Sequence, residues 1–93
     1  MSRDIQVEIL EPCVMQGEEF SVMLLNGVEE AVAYRYSIIN CQTKVTVIQS
    51  GETAETTWET VAPIEGHYYI KVEATYGDGS LAKVTEPLHV SKI

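Results

Sequence analysis

His67 and His89 are the only imidazoles in the chain, and imidazole is the commonest general base and metal-ligating side chain. A Ser, Thr or Cys nucleophile needs such a base within hydrogen-bond reach, and an acid to orient it. His67 stands between Gly66 and Tyr68, and His89 between Leu88 and Val90. Strand alternation puts both on outward rows of two strands that should pair, so the rings can approach each other. No third ligand is obvious in the sequence, and two surface histidines are expected rather than a metal site. Cys13 and Cys41 lie 28 positions apart and neither belongs to a CxxC pair, so a zinc or redox motif is not supported. Two free thiols are expected, with a non-standard bridge as the other reading.

Acids cluster where turns are expected: Glu18-Glu19, Glu29-Glu30 and Asp78. Calcium loops converge several carboxylates in a D-x-D-x-D-G spacing, which is missing here. Glu29, Glu30 and Asp78 would share one pole of a sandwich. They are the candidates for a weak calcium site, against a reading as solvated loop charge. A glycosidase needs two carboxyl groups about 5–10 Å apart in a cleft, and the loops are too short to wall one. The expectation is no enzyme, no catalytic residue and no cofactor.

Among the aromatics, Tyr69 falls on an outward row beside outward Arg35, a pair suited to docking a protein or sugar or to a structural cation–π contact. Tyr76 has core parity but ends its strand beside Gly77-Asp78-Gly79, so it either caps the core or joins a binding loop.

These residues must be carried by strands, because the apolar period is two nearly everywhere. Ile5, Val7 and Ile9 alternate with Asp4, Gln6 and Glu8, and Pro12 kinks an edge strand that continues through Val14. After a turn at Gln16-Gly17-Glu18 comes Phe20, Val22 and Leu24. Asn26-Gly27 opens the next loop. The third strand places Val32, Tyr34, Tyr36 and Ile38 on one face. A hairpin at Asn40–Thr43 leads to Lys44–Gln49, with Val45 and Val47 sharing a face. Ser50-Gly51-Glu52 reads as a turn, Thr53–Thr60 as a Thr-rich strand around Trp58, and Ala62–Gly66 as a connection. Tyr68, Ile70, Val72 and Ala74 form the sixth strand. Gly77-Asp78-Gly79-Ser80 reads as a two-residue Asp-Gly hairpin. The last strand runs from Leu81 to about Val90, broken or bulged at Pro87. Seven strands with regular turn signals predict a single antiparallel β-sandwich over 1–93 with Greek-key connections. The first, second and fifth strands should form one sheet, and the rest the other.

Two stretches resemble known domains. Pro63-x-x-Gly66-x-Tyr68-x-Ile70-x-Val72-x-Ala74, followed by Gly77-Asp78-Gly79-Ser80, is similar to the corner and following strand of fibronectin type III and PKD-like immunoglobulin-type domains. That likeness implies a structural corner of Pro63, Gly66 and Tyr68, with the tyrosine hydroxyl returning to the backbone. With Tyr34-Arg35-Tyr36 and Trp58 added, the chain resembles the triple-tyrosine (three-Y) domain of bacterial two-component regulators and clostridial surface proteins. The likeness spans about Tyr34 to Val84, without a tyrosine between Ser50 and Thr57 where that family often has one. It implies a non-catalytic accessory module, docking to other domains of its own chain or to a protein partner.

Composition agrees with such a module. The 93 residues are 45% apolar and carry 6 basic against 14 acidic side chains, a net charge of −8. That balance opposes nucleic acid and anionic membrane surfaces. Apolar runs of about four residues fall short of the roughly 20 needed to span a bilayer, and no signal peptide is expected. The compartment stays open: cytoplasmic, or extracellular and cell-envelope if this is one module of a longer protein. A glycan-binding module is the alternative function. It would gain a platform if Tyr34 and Tyr36 turned outward beside Tyr69.

Overall fold

The computed structural model describes residues 6–9, 13–26 and 31–92. They form eight strands: β1 (Gln6–Ile9), β2 (Cys13–Met15), β3 (Glu19–Asn26), β4 (Ala31–Asn40), β5 (Thr46–Thr53), β6 (Thr57–Val61), β7 (Gly66–Tyr76) and β8 (Leu81–Ser91). One sheet has the order β1-β3-β6 and the other β2-β8-β7-β4-β5. The all-β, two-sheet architecture is the one the period-two pattern predicts.

The rows that alternation assigns to the interior meet between the sheets. Phe20, Val22 and Leu24 of β3 face Tyr34, Tyr36 and Ile38 of β4 and Tyr68, Ile70, Val72, Ala74 and Tyr76 of β7, closed by Leu88 and Val90 of β8. Burying each large apolar side chain contributes about 1.5–3 kcal/mol, so this double layer drives the fold. Trp58 of β6 packs on it, its ring stacked on Tyr36 at 5.6 Å between centroids and 21° between planes. The Tyr68 hydroxyl donates to the Ile64 carbonyl at 2.6 Å. Gly66 makes that corner possible. Its φ is +153°, which L side chains rarely adopt, and a Cβ there would sit 3.4 Å from the Tyr68 ring. Pro63, half-buried, completes the corner.

Several local expectations are corrected. The first strand divides: β1 pairs antiparallel with β3, whereas β2 crosses to the other sheet and pairs parallel with β8. The result is eight strands with one parallel pairing instead of seven wholly antiparallel ones. Ser50-Gly51-Glu52 is a bulge inside β5, not a turn. The register jumps between Arg35↔Glu52 and Ser37↔Gln49, and Gly51 takes φ +74°. The Ser50 hydroxyl accepts the Tyr36 amide at 3.0 Å, so the interrupted ladder keeps its bond. Val32 is exposed because a register shift between Ala31 and Ala33 takes it off the core row. Val45 and Val47 are both exposed, and Ile48 is the β5 residue packed on the core. Residues 54–56 cross between sheets, so the strand around Trp58 begins only at Thr57. Pro87 interrupts nothing: the β7–β8 register runs unshifted through Tyr69↔Pro87. β2 covers only His89–Ser91, which leaves Pro87 a side where no ladder donor is needed. The β7–β8 connection is a three-residue loop, Gly77–Gly79, with bonds from Gly79 N–H to Tyr76 O (2.9 Å) and Tyr76 N–H to Ser80 O (3.0 Å). Gly79 at φ +87° supplies the left-handed residue that closes such a loop. Pro12 and Gly27 lie outside the described residues.

Candidate binding surface

The outward residues of β2, β8, β7, β4 and β5 make a flat face, and β7 at its centre sets the rows. At one end Arg35 of β4 stands between Glu73 of β7 and Glu52 of β5. Its Nη2 lies 4.0 Å from Glu52 Oε2, and Lys71 Nζ lies 3.5 Å from Glu73 Oε1. The Arg35–Glu52 pair is exposed and the Lys71–Glu73 pair half-buried but open to water, so each contributes on the order of 1 kcal/mol or less. Arg35, Glu52 and Glu73 line a depression of about 90 Å³ together with Tyr34, Thr75 and Leu81.

Tyr69 lies four residues further along β7, opposite Ile39 and Pro87. That offset is roughly 13 Å along a strand, so the expected Tyr69–Arg35 pair does not form. The cation over the Tyr69 ring is Lys44, with Nζ at 5.6 Å from the centroid. Lys44 reaches it from the hairpin after β4, held at φ +62°. The Asn40 side chain accepts the amides of Gln42 (2.8 Å) and Thr43 (3.0 Å) and fixes that hairpin. Tyr76 is 3% exposed and belongs to the core, not to a binding loop. Tyr34 and Tyr36 are likewise inside, so no aromatic platform with Tyr69 exists. Burial pushes the Tyr36 hydroxyl up to about 12, with Tyr34 and Glu55 adding to the rise. Its proton is donated to the Glu55 carbonyl at 2.5 Å.

At the Gly77–Gly79 pole, the Asp78 carboxylate accepts from the Ser80 amide (2.9 Å) and hydroxyl (2.6 Å). Ala31 pairs with Tyr76, which brings the start of β4 to this pole. Glu29 and Glu30 lie outside the described residues, so the acidic trio is represented here by Asp78 alone. Two further carboxylates, Glu19 and Glu59, border an open depression of about 440 Å³ on β3 and β6 with Phe20, Ser21, Thr60 and Val61.

The opposite pole holds the imidazoles. His67 and His89 are directly paired across β7 and β8. Their Nδ1 atoms lie 3.3 Å apart and their ring centroids 4.7 Å apart. Cys13 stands opposite His89 on β2, and the Cys41 amide donates to the His67 carbonyl at 3.0 Å. Both thiols are free. Sequence reasoning brings the two histidines together but misses Cys13, because the parallel register of β2 on β8 depends on a strand changing sheets. Among the described residues no three of His, Cys, Asp and Glu converge on a ready-made metal site.

No family model and no curated protein sequence matches the chain. Solved structures do. The soluble domain of PmoD from Methylocystis sp. (Rockwell) superposes with a TM-score of 0.65 at 14% identity, over 94% of this chain and 90% of that one. The PKD domain of the human VPS10 domain-containing receptor SorCS2 gives 0.66 at 14%, over 97% and 74%. An engineered protein gives 0.67 at 15%, with 95% of this chain covering 20% of that one, so the chain spans about a fifth of its length. At these identities the likeness is one of fold: an immunoglobulin-like, PKD-type β-sandwich.

Proposed function

We propose that the chain is a non-catalytic immunoglobulin-like module that spaces and docks domains of a larger protein. One observation carries this reading: the strand direction through the body. β1 begins at Gln6 opposite Asn26, at the pole of the Gly77–Gly79 loop, while β8 ends at Ser91 beside Met15 at the other pole. The body measures 44 × 23 × 20 Å, so the chain enters at one end of a long axis and leaves at the other. A module built this way holds its two neighbours in a chain apart. The Arg35, Glu52, Lys71 and Glu73 charges suit a polar contact with a neighbouring domain or protein partner. The three-Y reading draws support from Tyr34, Tyr36, Trp58 and Tyr68, which share one core cluster. A place in a bacterial cell envelope or sensor comes with that reading.

The test is a length measurement. The chain is placed between two fluorescent proteins, alone and as a tandem of two copies. The second copy should lengthen the particle in solution scattering by about the 44 Å of one body. An unchanged maximum dimension would overturn the spacer.

A further inference from the structure

We propose that the open edge of β6 takes an extended segment of a partner protein as an added strand, basic on its outer row and apolar on its inner one. The proposal rests on the docking half of the module reading and is independent of the spacing half. The two sheets are unequal: β1-β3-β6 faces β2-β8-β7-β4-β5. One outlying strand of the larger sheet is covered, because Val14 of β2 is 3% exposed and belongs to the core. The other is not: no residue of β5 is buried, and none of β6 is. Ile48 of β5 and Trp58 of β6 are only partly buried against the core. Trp58 stands over Tyr36 of β4, the neighbour of β5. The width of a strand therefore lies open beside β6 and over β5, closed at one end where residues 54–56 cross between the sheets.

The backbone at that edge is set for pairing. The Leu24 amide donates to the Thr56 carbonyl at 2.9 Å, and the Ala62 amide to the Glu18 carbonyl at 2.8 Å. In an antiparallel ladder the groups facing one neighbour recur at every second residue, so Thr56, Trp58, Thr60 and Ala62 face β3. The N–H and C=O groups of Thr57, Glu59 and Val61 face away from it, and among the described residues no other strand pairs with them. An added antiparallel strand bonds to these groups, so that main-chain bonds give affinity and alternate side chains give specificity. Its residue opposite Glu59 shares the outer face, and the flanking residues turn in towards Trp58 and Ile48.

Charge chooses the occupant. Glu59 and Glu19 border the depression of about 440 Å³ on β3 and β6, and none of the residues lining it is basic. A second copy added with two-fold symmetry about Glu59 would set that carboxylate against its own counterpart, between chains of net charge −8. Like charges directly opposite are destabilising, and opposite charges stabilise the pairing. A lysine or arginine opposite Glu59 gains its charge and lays its stem along the exposed Val61.

The probe is a short capped peptide alternating valine and lysine, added to the full chain and followed by NMR. The amide signals of Thr57, Glu59 and Val61 should shift and their hydrogen exchange should slow. The same peptide methylated on its amide nitrogens should bind about tenfold more weakly. Glu59 is exposed, so Glu59→Lys should melt with the parent, weaken the lysine peptide about fivefold and prefer a glutamate version. Val61→Pro removes an edge N–H that β3 does not use, and should block the peptide. The proposal is overturned if the β6 amides keep their exchange rates at millimolar peptide, or if the methylated or glutamate peptide binds the parent equally well. It is also overturned if the chain alone protects those amides as its concentration rises, which makes a second copy the occupant. The tandem length measurement reads spacing alone, so a spacer that ignores the peptide and a peptide binder that leaves the tandem short are distinct results.

Discussion

Tyr36 is the largest fully buried side chain among the described residues, and its hydroxyl is committed to the Glu55 carbonyl. Burial, then Tyr34, then Glu55 raise its pKa to about 12, and burial followed by Tyr76 raises that of Tyr34. A phenol whose folded pKa is raised favours the fold below the unfolded value near 10. Above that, the unfolded chain releases its proton first, so stability drains away between about pH 10 and 12. The urea midpoint should therefore hold steady from pH 7 to 9 and fall by pH 11. Tyr36→Phe should flatten that fall without removing it, because Tyr34 titrates upward as well. Tyr68 is a cleaner case. Its hydroxyl makes one bond, to Ile64 O, and the ring stays packed in Tyr68→Phe. That variant should lose about 1 kcal/mol in chemical denaturation; an unchanged midpoint would mean the corner bond contributes nothing.

At the scale of elements, what the sequence made legible and what it hid have one cause. Alternation reads faces reliably where the register runs unshifted, as along β7 against β8. It fails at bulges, because a bulge and a turn use the same residues for the same reason. Gly51 adopts φ +74° inside β5, and nothing local distinguishes that from a hairpin. The parity slip at Val32 likewise depends on how β7 pairs with β4. In the candidate surface, the His67–His89 approach comes from adjacent hairpin strands, a local fact. The Cys13–His89 neighbourhood comes from a non-local parallel pairing that no spacing announces. Two outcomes belong to this scale. Gly51→Ala should cost about 1–2 kcal/mol from its left-handed backbone alone, since no atom lies within 4 Å of the added methyl. In hydrogen exchange, the short edge strand β2 should open first and the central β7 last, because local stability tracks pairing and burial. Equal protection in both would show that the second sheet opens as a single unit.

The whole molecule is two sheets held by one core, and its poles are far apart by construction. That geometry settles what the two thiols can do with each other. Cys13 to His89, His89 to His67 and His67 to Cys41 are successive lateral steps across four strands. Three inter-strand spacings amount to roughly 14 Å, whereas a disulfide requires Cα atoms within about 7 Å. Bridging Cys13 to Cys41 within one chain would mean tearing β8 and β7 out from between them, and with them Leu88, Val90, Tyr68 and Ile70 of the core. Mild oxidation should therefore give no intramolecular bridge. It should give disulfide-linked dimers, formed mainly through Cys13, the more exposed thiol. On a non-reducing gel the parent and Cys41→Ser should run as dimers after oxidation, and Cys13→Ser largely as monomer. A compact oxidised monomer with both thiols consumed would show that β2 leaves its parallel pairing. Loss of that pairing would remove Cys13 from the histidine row as well.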